Sequence, residues 1–310
     1  MYYTNSNMKL VQMKNIQFIV LLICTLLVTG FFSSCSKFTK AMSDPNWRER
    51  DKVAQKYYEE GDYYRAGLLW EDVVPIVKGD PRAEDIQFKY AYCHFYQKQY
   101  LLSAYYFKNF YFTYRRSPNA TEAYFMNAFS LYKDSPRVHL DQESSKEAIQ
   151  AFQDVINSYP ESDYATRAAK HLDELRAKLE KKAFENAELF YNLGRYKAAV
   201  IALENFQKDF PDAPQLDKAA FLRLKSEYDL AKNSIYSKQK ERYEISKTYY
   251  FYLIDRYPES PFVRDAENIY GNIEKAIKNI EKGEVIDTQE KDKKDPKKIT
   301  TSEGSAGESE

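Results

Sequence analysis

Three segments of the chain close in the same way: INSYPESDYA (Ile156 to Ala165), QKDFPDAP (Gln207 to Pro214) and LIDRYPESPF (Leu253 to Phe262). Each is an apolar stretch of helical period ended by an aromatic residue, a proline and a turn. Proline cannot continue a helix, and it pushes the preceding residue out of the helical region. A stop signal recurring about every 50 residues marks a repeat architecture, with spacing longer than one minimal helix hairpin. Compact layered folds have no need of such a period.

The repeat is legible residue by residue. In FENAELFYNLGRYKAAVIALENFQKDFP, the small residues Ala187, Gly194 and Ala199 and the large ones Phe190, Tyr196, Leu203 and Phe206 fall at tetratricopeptide spacings. Small residues let two antiparallel helices approach, and large ones fill the gap to the next pair. Ala54, Tyr57, Gly61, Tyr63, Ala66 and Trp70 take the same roles in AQKYYEEGDYYRAGLLWEDVV, and Ala91, Tyr100, Ser103, Phe107 and Phe110 do so further on. Two more pairs are interrupted by longer loops. One joins Ala128 to Ala148 across KDSPRVHLDQESS, with Ser144 and Glu147 reading as a capping box. The other joins FLRLKSEYDLA to EISKTYYFYLIDRYP across NSIYSKQKER. The expected fold is all-α: a tetratricopeptide-like superhelical array of about five helix pairs, with FVRDAENIYGNIEKAIKNIEKG as a polar C-terminal capping helix. Composition agrees, since 28 tyrosines and 19 phenylalanines against 9 glycines suit long helices packed through large side chains.

The only long apolar run lies at the N-terminus. Behind Lys9 and Lys14, the segment from Ile16 to Val28 is apolar apart from Gln17 and Thr25. Its length is roughly 13 residues, against the ~20 of a membrane-spanning helix, and it suits a secretory signal. The start is Met1, Met8 or Met13. The run ends in GFFSSCSKF, which resembles the lipobox of bacterial lipoproteins with Phe32 where Leu is usual. On this reading Cys35 carries a diacylglycerol on sulfur and an acyl chain such as palmitate on its amine; the alternative is a plain signal that leaves a free thiol. Cys24 departs with the signal and Cys93 remains alone, so packing rather than a disulfide must stabilise the exported domain. The expected organisation is a signal peptide over 1–34, a lipid anchor and linker over 35–46, repeats over 47–282 and a disordered charged tail over 283–310. SKFTK after the cysteine lacks an acidic cluster, which favours the periplasmic face of the outer membrane.

Forty-six basic residues balance 46 acidic ones, so no basic field argues for nucleic acid. His94, His139 and His171 are scattered, and neither a phosphate loop nor a nucleophile elbow occurs. The chain reads as a binder or scaffold, not an enzyme, with no cofactor or metal beyond the lipid. Projecting the repeat register places Tyr58, Phe88, Tyr92, Phe95, Tyr96, Phe125, Phe129 and Tyr132 on the concave, first-helix surface. There they would form an aromatic groove for an extended peptide, with Arg48, Arg115, Arg116 and Lys133 available to a terminal carboxylate. The alternative is that these rings pack against neighbouring helices or a folded-back N-terminal segment.

The block LDQESSKEAIQAFQDVINSYPESDYATRAAKHLDELRAKLEKKAFENAELFYNLGRYKAAVIALENFQKDFPDAP, together with the array and the lipobox, resembles the BamD family of outer-membrane assembly lipoproteins from Cys35 to about Lys282. The shared features are Asp141-Gln142, the Tyr159-Pro160-x-Ser162-x-Tyr164 stretch and Phe190-Tyr191. The resemblance implies a non-enzymatic subunit of the machinery that inserts β-barrels into the outer membrane. Its N-terminal repeats would bind the aromatic-ended C-terminal signals of unfolded barrel proteins, and its C-terminal repeats a periplasmic domain of the central barrel subunit. A generic periplasmic tetratricopeptide lipoprotein scaffolding cell-wall or division factors is the competing expectation.

Overall fold

The computed structural model describes residues 37–283, and the signal, Cys35 and the charged tail lie outside the described residues. A helical turn, α1 (residues 37–42), precedes α2 (Trp47–Glu59), α3 (Tyr63–Glu71), α4 (Ala83–Tyr96), α5 (Tyr100–Thr113), α6 (Ala120–Asp134) and α7 (Glu143–Ser158). Then follow α8 (Asp163–Asn192), α9 (Tyr196–Asp209), α10 (Leu216–Lys232), α11 (Tyr236–Arg256) and α12 (Val263–Glu281). All the regular elements among the described residues are helices, paired as a tetratricopeptide-like array requires. The chain divides into two compact units, one ending at Leu179 and the other beginning at Glu180.

In the first unit each helix from α2 to α7 packs on the next. Ala54, Ala66, Ala91, Ala128 and Ala148, the small residues of the repeat, are fully buried, as are Trp70, Phe107 and Phe110. Ala168, Leu172 and Leu175 of α8 complete the core around Phe125, Phe152 and Val155. The segment following Cys35 is no free linker: Phe38, Ala41 and Met42 of α1 pack on the first repeat, with Phe38 edge-on to Tyr57 at 6.1 Å. In the second unit Phe184 and Ala187 join Ala199, Leu203 and Phe206 in one cluster. Another cluster joins α10, α11 and α12 through Leu224, Leu253, Ala266 and Ile273.

Both kinds of turn explain the sequence signals. At Gly61, Lys98 and Gly194 the backbone is left-handed, with φ of 79°, 62° and 68°. At each, that residue's N–H bonds the carbonyl three residues back, and the next N–H bonds the one five back, ending at Tyr57, His94 and Phe190. This is the Schellman closure. The ends of α5, α7, α9 and α11 share an aromatic cap: Tyr114, Tyr159, Phe210 and Tyr257 each donate an N–H to the carbonyl four residues earlier.

Several expectations are corrected. Ser144 does not cap α7: it lies within the helix and bonds Asp134 Oδ2 at 2.7 Å, while Asp141 Oδ1 accepts the Glu143 N–H at 3.0 Å. Gln142 is buried and pins the preceding loop, donating to the carbonyls of Arg137 (2.8 Å) and Leu140 (3.0 Å) and accepting from Ser145 Oγ. Most of the loop expected over NSIYSKQKER is helical, because α11 begins at Tyr236. Phe190 is 37% exposed, and the neighbouring Tyr191 turns inward to bond Asp229 Oδ2 at 3.1 Å.

Candidate functional site

The first helices of the N-terminal unit, linked at one point by Tyr63 of α3, carry a continuous run of aromatic rings. Tyr58 on α2 meets Tyr63 edge-on at 5.4 Å, and Tyr63 stacks on Tyr96 of α4 at 4.1 Å. Tyr96 stacks on Tyr92 (5.7 Å), Tyr92 meets Phe95 edge-on (6.5 Å), and Phe95 stacks on Phe129 of α6 (5.8 Å). Phe129 then stacks on Tyr132 at 5.8 Å, and Tyr132 lies 4.5 Å from His171 of α8. Phe88 stands edge-on to Tyr92 at 5.2 Å, one turn away. Tyr96 is 47% exposed; Tyr58, Phe88, Tyr92, Phe95, Phe129 and Tyr132 are half-buried. Seven of the eight projected rings thus form one strip, each packed on its neighbours and still presenting surface.

Phe125 is the exception. It is fully buried against Phe152 and Tyr164, and the Arg167 guanidinium sits 4.4 Å above its ring. Phe125 still stacks on Phe129 at 5.6 Å, so the two share a face as projected, but Phe152, Tyr164 and Arg167 cover Phe125 completely while Phe129 stays half-buried.

The hydroxyls along the strip find carboxylates. Tyr92 and Tyr164 both donate to Glu122, the latter at 3.1 Å, and Tyr132 donates to Glu174 at 2.7 Å. Burial, and then Glu122, hold the Tyr92 hydroxyl protonated far above ordinary phenol behaviour; the bond to Glu174, and then burial, act likewise on Tyr132. Bonds from Tyr132 and His171 lower the Glu174 carboxyl in return. The strip is therefore neutral at its rings, with its acids engaged.

The cations are arranged differently from the sequence expectation. Arg48 pairs with Asp80 at 3.3 Å and lies over Trp47; Arg115 covers Tyr111 and Phe112, away from the strip. Arg116 is exposed, with nothing linking it to the strip. Lys133 does sit there, its ammonium 5.1 Å above Phe129. Beside it lies a cavity of about 240 Å³ lined by Tyr132, Ser135, Glu174 and Lys178. Lys178 donates only to neutral acceptors, Ser135 Oγ and the Pro136 carbonyl (3.1 Å), and burial lowers its ammonium pKa. Among the described residues neither Lys133 nor Lys178 has an ion-pair partner. Tyr164, Arg167, His171, Glu174 and Lys178 follow one stripe of α8 at helical spacing, a signal that becomes readable once α8 is taken as a first helix.

Among the described residues no group of His, Cys, Asp and Glu is placed to hold a metal ion, and no helix is long and apolar enough to cross a membrane. Cys93 is buried, which pushes its thiol up to about 12.

A family model described as YfiO, outer membrane lipoprotein, matches residues 51–241 and 185–294. The chain belongs to the YfiO family of outer membrane lipoproteins. Overlapping matches are natural where one repeat aligns with more than one repeat of the family. A Caulobacter vibrioides protein called outer membrane protein assembly factor BamD is 27% identical over 116 residues, 35% of this chain and 38% of that protein. The chain thus spans well under half the length of that relative, and the two matches agree with the resemblance to the BamD family. Among solved structures, the TPR2AB domain of yeast Sti1 in its pHSP90 complex superposes with a TM-score of 0.32 at 11% identity, over 74% of this chain and 98% of that one. A kinesin light chain protein of Podospora anserina with TPR-like repeats gives 0.28 at 14% identity, over 65% and 93%. Superpositions this loose leave the helix-pair assignment resting on packing within each unit of the YfiO-family chain.

Proposed function

We propose that the chain is a lipid-anchored, non-catalytic scaffold of the β-barrel assembly machinery on the periplasmic face of the outer membrane. Cys35 carries the diacylglycerol and N-acyl chains, and more than one chain makes the anchor stable. The N-terminal unit takes the C-terminal segment of an unfolded barrel protein, and the second unit docks on a periplasmic domain of the central barrel subunit. The observation that carries the reading is the aromatic strip ending at two ammonium groups, Lys133 and Lys178, that lack carboxylate partners. An aromatic side chain would add a ring to the strip while its terminal carboxylate reached those ammoniums. Family membership and the likeness to an assembly factor support the same reading.

The test is fluorescence anisotropy with a labelled peptide ending in phenylalanine, as the free acid and as the amide. A charge-assisted hydrogen bond contributes about 1.5–3 kcal/mol, so the acid is expected to bind at least about 10-fold tighter. Lys178→Gln should abolish that difference, and Phe88→Ala with Tyr92→Ala should weaken both peptides. Equal binding of acid and amide, with no effect of either variant, would return the strip to a purely structural role. Gentle detergent extraction tests the assembly role: a large outer-membrane barrel should accompany the chain, whereas cell-wall or division proteins would indicate the other scaffold.

A further inference from the structure

Helix α5, YLLSAYYFKNFYFT, is apolar nearly all round, which suits a helix buried on every side. It is not so buried here. Its inner face packs Ser103, Ala104, Phe107, Phe110 and Tyr111 into the core, while Leu101, Tyr105 and Phe112 remain 57%, 59% and 49% exposed. These three and Lys108 follow one another along a single helical stripe. Opposite them, Glu147, Ala151 and Asp154 form the equivalent stripe of α7. Between the stripes lies a cavity of about 480 Å³, floored in part by the small side chains of Ala104 and Ala151. Its walls are second helices of the N-terminal unit, and Tyr124, Asn127 and Leu131 of α6 complete its floor.

We propose that this groove is a docking site for an amphipathic helix of a partner protein. That helix would carry apolar residues at i, i+4, i+7 and i+11, a basic residue facing α7 and an acidic one facing Lys108. Charge complementarity supports the occupant: among the described residues Lys108, Glu147 and Asp154 have no ion-pair partners, and the groove separates the base from the acids. Helical form follows from the walls. Leu101, Tyr105, Lys108 and Phe112 on one side and Glu147, Ala151 and Asp154 on the other stand at helical spacing, so the side-chain ridge of a third helix packs between them. A helix satisfies its own backbone and needs from the groove only shape, apolar contact and the two flanking charges.

The probe is a fluorescein-labelled 18-residue designed helix with that pattern, titrated with the full mature chain. It is expected to bind at least 10-fold more tightly than a scrambled peptide of identical composition. Tyr105→Asp should cost at least 10-fold, and Lys108→Glu about 5-fold, the latter recovered when the facing acid of the probe becomes Lys. Tyr105 and Lys108 are exposed, so both variants should keep the parent circular dichroism; Leu101→Ser is the second apolar variant should Tyr105→Asp fail to fold. Equal binding of the scrambled peptide, or no recovery on charge reversal, overturns the proposal. In cells, a benzoylphenylalanine at position 105 should crosslink a segment that shows the pattern, with position 235 as the control. Adducts to a second copy of this chain, to lipid, or to a segment lacking the pattern would overturn it, as would no adduct at all. The phenylalanine-ended peptides should be unaffected by Tyr105→Asp, which keeps this groove distinguishable from the strip.

Discussion

Asp51→Ala is expected to destabilise the N-terminal unit by about 3 kcal/mol, an amount that follows from its partners and their exposure. Asp51 is 6% exposed; its Oδ1 accepts the indole N–H of Trp70 at 2.9 Å, and its Oδ2 accepts Arg82 Nη2 at 2.8 Å and Nε at 3.2 Å. Trp70 is fully buried, so removing the acceptor strands its N–H away from water, which costs about 1–3 kcal/mol. Arg82 is different: its side chain is 47% exposed and also reaches Asp85 at 3.2 Å, so its loss is nearer the ~1 kcal/mol of a surface pair than the larger cost of a buried one. The assay is urea unfolding followed by tryptophan fluorescence, excited beyond the tyrosine absorption band. Both tryptophans, Trp47 and Trp70, belong to this unit, so the signal reports it alone. Repeating the measurement in a Trp70→Phe background isolates the stranded N–H, because phenylalanine has none. There the cost of Asp51→Ala should fall to about 1 kcal/mol. An unchanged cost in that background, or less than about 1 kcal/mol in the parent, would refute the claim that the Asp51–Trp70 bond clamps the first repeat.

Gly61→Ala should cost about 1–2 kcal/mol through backbone conformation alone, since φ is 79° and an added Cβ would meet nothing within 4 Å. Conversely, Lys98→Gly should stabilise by up to about 1 kcal/mol, because Lys98 occupies the same left-handed position with φ 62°; urea midpoints check both. Burial, opposed by Arg242 and Arg223, raises the Glu227 pKa. The folded chain therefore retains a proton that the unfolded chain releases, and the penalty is absent below about 4.5 and complete above the raised pKa. Glu227→Gln should accordingly stabilise at pH 7, the gain vanishing as pH falls below the ordinary carboxylate range, as read by circular dichroism melts. Cys35→Ser should release the chain from outer membranes into the soluble periplasmic fraction; retention would refute lipidation.

The sequence by itself determined the repeat and its closures. Ala54, Ala91 and Ala128 must be small wherever two helices touch, and Gly61 and Gly194 must tolerate positive φ, so both requirements show in residue type at fixed spacing. Tyr159, Phe210 and Tyr257 are legible for the same reason, because proline admits few conformations at its neighbour. How completely a ring on a given helix face is covered is less strictly encoded. Phe125 and Phe129 are the same residue type one turn apart, and only the packing of α8 decides that one is core and the other surface. Lys178 reaches the end of the strip from 42 residues beyond Pro136, an approach that local spacing does not record. The same holds for Ser144, whose hydroxyl finds Asp134 in the preceding helix rather than its own helix start. Aromatic type and repeat register thus assigned most of the strip. The charges that would give it a direction, and the groove beside α5, were settled by which helices came to lie together, because long-range packing decides what an exposed side chain can reach.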